Sequence, residues 1–535
     1  MNFIDHLVRA VSPEKALRRE KARMGLKAME IVNSGYDAGG ASYRKNSLKG
    51  WNAYSSSPQS DIDMNLHTLR QRSRELYMTS PVATSAINTT RTNVVGQGLV
   101  VKPSVDWKQL GISKEEADVL NARIKREFNL WAESKNCDIM RLNNFVELQQ
   151  IAIISWLLNG DCFATLQYKK SEQFPYELRI QLIEADRISN PDSFVGSVDR
   201  ECKAKNGNKI FNGVEIDKDG QIVAYYICNN YPNDYVFPSE WKRVEAFGKR
   251  TGNANVIHVM QGERPDQYRG VPFLAPVIET IKQLTRYTDA EIMAAVINGI
   301  FTVFVKTEEG DDNLDFAGVE DDSLEDIITP NNSLAKIRSG QQNENELRLG
   351  NGLINYLKEG ESVEIADAKR PATNFDSFVK SFTAYIGAAL EIPIELLTKQ
   401  FTSSYSASKG ALLEAWKSFR MKRSWFADDF CQPIYEIWLA EAVAKGRISA
   451  PGFFLDASIR KCYCRATWNG PAPGHLDPVR EVQAAQLRVE NGFSTRTSEA
   501  VEINGSDYAE NVEMLEEENI KLNRTVQKEE ADDND

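Results

Sequence analysis

The chain has 535 residues, 42% hydrophobic and 26% charged, a globular balance with room for two to four domains and a sizeable core. Its net charge of −12 argues against tight, static binding of duplex DNA, which depends on cations that neutralise phosphates, but leaves open a surface past which DNA slides. The seven cysteines (Cys137, Cys162, Cys202, Cys228, Cys431, Cys462, Cys464) are odd in number and scattered with no Cys-x-x-Cys pair, which argues against a disulfide framework and for a reducing compartment, the cytosol, during synthesis.

Residues 1–50 hold ten Lys/Arg against five Asp/Glu. Residues 1–23 alternate apolar and basic side chains with no continuous apolar run, so they do not read as a secretion signal. A short basic helix followed by a Gly/Ser/Tyr-rich arm is expected to about residue 60, with the folded body starting near Asp61. Leu66, Leu69, Ser73, Leu76 and Tyr77 then keep a helical period, and a second helix follows Pro81 as far as Val95, where Gly96 and Gly98 end it.

The largely apolar segment 145–159 predicts a helix, and Gly160-Asp161 turns the chain into a strand over 162–169. Further strands are expected at 178–183, 213–216 and 221–227, with Asp217-Lys-Asp-Gly220 as the hairpin turn between the last two. Pro272 and Pro276 open a helix over 277–298 with Ile278, Ile281, Leu284, Thr288, Ile292 and Ala295 on one stripe. The apolar stretch 290–305 carries Glu291, Asn298 and Gly299, so it reads as a helix running into a strand and not as a membrane span.

A matching helix is predicted over 375–390, with Phe378, Phe382, Tyr385 and Ala389, flanked by Val379 and Ile386, as its broad stripe and Pro393 as its stop. Between the two helices lie a strand at 301–306, an acidic run at 308–326 and short strands near 353–357 and 362–365. A Ser/Thr-rich loop, 398–408, then enters one long amphipathic helix, 407–443, whose apolar residues Leu412, Leu413, Trp416, Phe419, Phe426, Phe430, Ile434, Ile437 and Trp438 predict a face buried along its length. At 1.5 Å per residue it reaches roughly 55 Å. Pro433 removes one amide donor and predicts a kink near Asp429. A strand at 461–468 and a helix over 479–490 follow. After Glu510 a weak helical period fades into 528–535, expected to be disordered without a partner; residues 510–535 hold ten acids against three bases.

The motif search is mostly exclusion. No Gly-x-x-x-x-Gly-Lys-Ser/Thr occurs, so the chain is not itself a P-loop motor. Gly96-Gln-Gly98 lacks the third glycine of a dinucleotide fingerprint and reads as a turn. His6, His67, His258 and His475 do not pair at metal-ligand spacing, and Cys462 and Cys464, two apart in an expected strand, read as buried thiols. Neither a cofactor nor a metal is implied. Ser406-x-x-Lys409 matches a Ser-Lys hydrolase pair, but so does Ser377-x-x-Lys380, and the accompanying Ser-Asp-Asn or Lys-Thr-Gly elements are missing. The reading from residues alone is a mechanical, non-enzymatic α+β protein; a hydrolase using Ser406 and Lys409, or a scaffold protein of a cellular complex, are the alternatives.

One long stretch is more specific. Val256-Ile-His258-Val-Met, then Arg264-Pro265-Asp-Gln267-Tyr-Arg269-Gly270-Val-Pro272 and Leu274-Ala275-Pro276-Val277, resembles the portal proteins of the lambda family of tailed phages. Leu69-Arg-Gln-Arg72-Ser-Arg74, Asn93-Val-Val-Gly96-Gln-Gly98, Tyr405-Ser406 leading into Leu412-Leu413-Glu414, Pro433-Ile-Tyr435-Glu-Ile-Trp438-Leu439 and Trp468-Asn-Gly-Pro471 extend the resemblance over about 60–510.

The resemblance implies an architecture: a basic arm (1–60), a wing (61–274), stem helix one (275–300), a clip (301–373), stem helix two (374–391), a tunnel loop (392–408), a long wing helix and strand (409–470) and a crown with an acidic tail (471–535). It implies a ring, typically of twelve copies, forming a channel for double-stranded DNA at one capsid vertex of the virion, assembled in the host cytoplasm. The implied partners are the terminase large subunit, major capsid or scaffold proteins and head-tail adaptors, with no membrane. By position Lys399, Gln400, Thr402, Ser403, Ser404, Tyr405 and Lys409 are expected to face DNA, while Lys282, Arg286 and Lys380 on the stem face either the lumen or neighbouring subunits. The arm residues 9–27 would contact capsid or scaffold proteins or nucleic acid, or be removed in maturation. A stem helix with a broad apolar face and little chain around it must bury that face on other copies, which favours a closed ring.

Overall fold

The computed structural model describes residues 12–32, 46–51, 53–191, 202–231, 239–299, 303–307, 361–365, 375–402, 404–474 and 477–532. The chain divides into two units, Met1–Ser60 and Asp61–Asp535. The first contains helix α1 (Pro13–Val32).

The second unit is α+β. It opens with α2 (Met64–Thr79) and α3 (Pro81–Val94), Pro81 sitting where a missing amide costs nothing. Strand β1 (Val100–Pro103), the short α4 (Trp107–Leu110), α5 (Lys114–Ala132) and α6 (Phe145–Asn159) follow. Reciprocal caps, Ser113 with Glu116 and Asn144 with Glu147, fix the starts of α5 and α6. Gly160, left-handed at φ +87°, ends α6 and delivers the chain into β2 (Asp161–Tyr168).

Strand β2 pairs antiparallel with β3 (Leu178–Ile183) on one side and β9 (Val256–Met260) on the other. Strands β4 (Cys202–Lys203), β5 (Lys209–Phe211), β6 (Val214–Ile216), β7 (Ile222–Cys228) and β8 (Trp241–Glu245) make an antiparallel meander in chain order. The period-two alternation of β2 separates two cores. Cys162 and Ala164 belong to the large one, with the aromatic cluster Phe128, Trp131, Phe145, Phe430, Tyr435 and Trp438, while Phe163 belongs to the small one, with Val214, Tyr225 and Ile227 from the meander.

The chain continues through α7 (Ile278–Gly299), β10 (Val303–Thr307), β11 (Glu361–Ile365), which pairs antiparallel with β10, and α8 (Phe375–Ala389). The expected strand at 353–357 and the acidic run at 308–326 lie outside the described residues. Helices α7 and α8 meet through Tyr287 and Phe378, ring centroids 4.4 Å apart. Their stripes are only partly covered. In α7, Ile281 and Leu284 are buried but Ile292 is 59% exposed. In α8 the covered side is Thr383, Ile386 and Gly387, and the expected stripe residue Tyr385 is 70% exposed. The cause is plain: near the end of α8 the chain turns back through α9 (Ile394–Thr398), and Gly387, whose added Cβ would lie 2.4 Å from the Ile392 carbonyl oxygen, selects which side faces that turn.

The expected single rod is α10 (Tyr405–Phe426), a five-residue π turn (Ala427–Cys431) and α11 (Gln432–Ala444). The break falls on Asp429. Pro433 has no amide for a carbonyl one α turn back, and the extra residue, with Gln432 N–H bonding Ala427 C=O, accommodates its ring. Burial is not continuous: Leu413 is 55% exposed, whereas α11 buries Ile434, Tyr435, Ile437, Trp438, Leu439 and Ala442 nearly all round.

The expected strand over 461–468 is instead α12 (Ala457–Tyr463) followed by β12 (Ala466–Asn469), which pairs with β1. Asp456 caps α12 by accepting from Ser458 N–H, a local bond that outweighs the alternation. Cys462 and Cys464 are still buried, on the end of a helix and not on a strand face. Helices α13 (Pro478–Glu490), α14 (Arg496–Asn504) and α15 (Tyr508–Asp532) complete the chain, α15 remaining helical through residues 528–532, where disorder was expected. Among the described residues no helix is long and apolar enough to cross a membrane, and no cluster of His, Cys, Asp or Glu could hold a metal.

Candidate functional site

The loop between α8 and α10 is held against α3. The Ser85 hydroxyl donates to Leu397 C=O at 2.6 Å, and Lys399, left-handed at φ +58°, closes α9 and sends its Nζ to Thr89 Oγ1 at 2.6 Å. Partial burial lowers the Lys399 ammonium from its ordinary range. It stands at the end of an open cleft of about 600 Å³ lined by hydroxyl and amide side chains of α3 and the turn before it, among them Thr84, Ser85, Asn88, Thr92 and Asn93.

The remaining loop residues divide by role. Gln400 and Thr402 are exposed, and Ser403 lies outside the described residues. Ser404 caps α10 by accepting from Ala407 N–H at 3.4 Å, and Tyr405 starts the helix, 49% exposed. Lys409 Nζ is 3.3 Å from Glu481 Oε1 and lies over the Tyr405 ring. Its bond to Glu481 raises the ammonium above its ordinary range, the opposite of what a general-base lysine beside Ser406 needs. The hydrolase alternative is therefore not favoured. On α7 and α8, Lys282 pairs with Glu75 at 3.4 Å, Lys380 with Asp376 at 2.7 Å, and Arg286 is exposed.

The motif residues converge elsewhere, at the entry to α7. Arg269 is fully buried. Its Nε donates to Asp161 Oδ2 at 2.7 Å and its Nη2 to Ala185 C=O at 2.9 Å; Nη1 donates to Ile188 C=O at 2.9 Å and also to Asn212 C=O. Asp161, at the first position of β2, also receives Arg70 Nη2 at 2.9 Å and Gly270 N–H at 3.2 Å. Arg70 Nε donates to Asn159 C=O at 2.8 Å, and Arg74, one turn further along α2, pairs with Glu184 at 2.9 Å and with Asp186. Burial alone would raise the Asp161 carboxyl, but Arg269 and Arg70 outweigh it and hold it well below the usual carboxylate range.

His258 stacks on Phe163 with centroids 4.2 Å apart, its Nε2 lying 3.7 Å from Asp161. Burial lowers its pKa against the pull of Asp161, so it is held neutral. Gly160 and Gly270 touch backbone to backbone: a Cβ on Gly270 would fall 1.8 Å from the Gly160 carbonyl oxygen. Gln267 folds the preceding loop, accepting from the amides of Glu263 and Arg264 and donating to Arg269 C=O at 2.8 Å. Arg264 reaches Asp61 at 2.5 Å on the surface, and Pro265 is exposed. Sequence reading missed Asp161 and Arg70. The i, i+4 spacing of Arg70 and Arg74 was the available signal, since it puts both on one face of α2 while Arg72 points to solvent.

Two arginines on one buried carboxylate, bonded also to four backbone carbonyls, cannot do acid–base chemistry near neutral pH; they fix β2, α2 and the entry to α7 in one geometry. Such a joint suits a mechanical part.

The sequence pattern of phage portal proteins of the lambda family matches residues 44–423. Portal protein B of Escherichia phage lambda is 25% identical over 487 residues, covering 89% of this chain and 88% of that protein. The portal protein of Escherichia phage N15 is 24% identical over 488 residues, with coverage of 89% and 88%. A chain in the neck of a native gene transfer agent particle aligns over 82% of this chain and 92% of its own, at 12% identity and a TM-score of 0.40, too loose a superposition to argue from. With 380 consecutive positions matched and both portal relatives aligned nearly end to end, this chain belongs to the lambda family of phage portal proteins.

Proposed function

We propose that the chain assembles into a closed ring, of twelve copies in the virion, forming the channel at one capsid vertex through which a separate terminase ATPase drives double-stranded DNA and through which DNA later leaves toward the tail. One observation carries the ring: the helices assigned to the stem leave Ile292, Met293 and Tyr385 more than half exposed in the single chain. Large apolar side chains on two packed helices call for a covering surface, and a second copy related by rotation supplies the same surface repeatedly until the circle closes.

In this reading 61–274 is the wing, α7 and α8 are the stem, 301–373 is the clip that docks terminase and then head-tail adaptors, 471–535 is the crown, and the basic arm over 9–27 contacts capsid or scaffold proteins. The loop 392–408 faces the duplex. Lys399, Gln400, Thr402, Ser403, Ser404, Tyr405 and Lys409 give sparse, weak contacts there, suited to sliding: Lys399 is partly desolvated and Lys409 already paired, so neither offers phosphate a strong grip.

The test is direct. Purified chain viewed by negative-stain microscopy should form rings with a central hole and should hydrolyse no ATP on its own. Persistent monomers with intrinsic ATPase activity would overturn the reading.

A further inference from the structure

Two stretches of the resemblance, Asn93-Val-Val-Gly96-Gln-Gly98 and Trp468-Asn-Gly-Pro471, meet at one half-buried side chain, Arg423 of α10. Its Nε donates to Val94 C=O at 3.0 Å and its Nη2 to Asn93 C=O and Pro471 C=O, both at 2.8 Å. Asn93 and Val94 are in the last turn of α3, where a helix leaves carbonyls without partners of its own, so a guanidinium there satisfies acceptors and complements the negative end of the helix. The guanidinium lies over the Trp416 ring, 5.3 Å from its centroid. The glycines of both stretches make room for it. A Cβ on Gly470 would fall 2.7 Å from Arg423 Nε, and one on Gly96, left-handed at φ +56°, would fall 2.9 Å from Pro471 Cγ.

These bonds close a frame. Ser85 and Thr89, earlier in α3, hold the loop through Leu397 C=O and Lys399 Nζ. The loop runs into the start of α10, and Arg423, about five turns further along that helix, returns to the end of α3. The segment that begins at Pro471 is fastened to the same corner, and its helices then follow α10: Lys409 and Arg420, eleven residues apart and so on one face, pair with Glu481 of α13 at 3.3 Å and with Glu502 of α14 at 3.5 Å. Those two pairs are open to water and weak. The charge-assisted bonds at Arg423, covered on one side by Trp416, are the firmer attachment.

We propose that Arg423 is a positioning residue for the loop 392–408: by closing this frame it sets the loop's place and ties it to the segment after Pro471, assigned above to the crown, so that loop and crown shift as one body. Force on the loop from a sliding duplex then passes to the crown. That the loop faces DNA rests on the portal reading; the frame is made within a single chain and does not.

The experiment is amide hydrogen exchange on the full-length chain, unmutated and carrying R423K, whose ammonium lacks the planar fork that reaches the three carbonyls together. In the unmutated chain the amides of α9 and the first turns of α10 should open together with those of α13, with one dependence on low urea. R423K should quicken both groups by roughly tenfold or more and leave the sheet of β2, β3 and β9 at its unmutated rate. An arginine of only local importance would quicken residues 91–96 and 470–473, which it touches, and leave α9 and the start of α10 alone. That outcome overturns the proposal, as does independent opening of the two groups in the unmutated chain. Should R423K loosen the whole fold, the unmutated comparison decides by itself. Negative stain of the same preparations keeps the portal reading separate: absence of rings would sink the ring and leave the exchange result to judge the frame.

Discussion

Arg269 carries more of the joint at the entry to α7 than any other side chain described, because its guanidinium meets one carboxylate and three backbone carbonyls that come from separate parts of the chain. Lysine has neither the planar fork nor the donors to replace it. Arg269→Lys is expected to cost on the order of 3 kcal/mol, the scale for breaking a buried pair, read as a lowered urea midpoint. Gly270→Ala should be worse: no side-chain movement relieves a Cβ placed against the Gly160 backbone, so loss of soluble protein is expected. Asp63 gives a pH signature of the opposite kind. Burial raises its carboxyl from 3.8 to about 6, against the pull of Arg269. Between those values the folded chain holds more protons than the unfolded one, so stability from this group falls as pH rises toward 6, and above it the ionised form costs on the order of 2 kcal/mol. Asp63→Asn should therefore raise the urea midpoint at pH 7.5 and leave it nearly unchanged at pH 4. The sequence marked Arg269 and Gly270 as part of a motif without a role; their partners, Asp161 and Gly160, stand more than a hundred positions away, and no local spacing carries that information.

At the scale of elements, legibility followed how local the cause was. The ends of α6 and the turn into β2 depend on Asn144, Glu147 and Gly160, all within or beside the segment, and were readable. The side of α8 that the chain covers by itself, Thr383, Ile386 and Gly387, depends on where the chain returns after Pro393, which no period within the helix reports. Residues 461–468 alternate well enough for a strand, but the first three belong to a helix whose cap, Asp456, lies outside the window. The π turn at 427–431 was half visible: Pro433 located the interruption, while an inserted residue cannot be told from a bend by sequence. Deleting Asp429 tests what that residue does. Restoring α geometry would turn α11 by about 100° and swing Trp438 and Tyr435 out of the aromatic cluster, so a cooperative unfolding transition should be lost. Asp429→Asn should instead keep the fold and hold the urea midpoint at or above the unmutated value at neutral pH, because partial desolvation and the adjacent Asp428 already push this carboxyl up to about 6, although the residue is exposed at the surface.

For the whole molecule the question is what a single copy leaves uncovered. Its large core is closed around Phe128, Phe145 and Trp438 and needs nothing from a neighbour. The α7–α8 pair is different: Tyr287 and Phe378 join the two helices, yet Ile292, Met293 and Tyr385 remain outside that contact. Replacing an exposed apolar side chain with a charged one changes little in the folded monomer, where it already meets water, but in an interface it buries an unpaired carboxylate. Ile292→Glu with Tyr385→Glu should therefore separate folding from assembly. The thermal midpoint of the dissociated chain should stay within about 1 kcal/mol equivalent of the unmutated protein, while analytical ultracentrifugation loses the ring and shows single subunits. If the doubly charged variant sediments as the ring, these side chains do not lie between subunits, and the surface that closes the circle has to be sought on the wing or the crown.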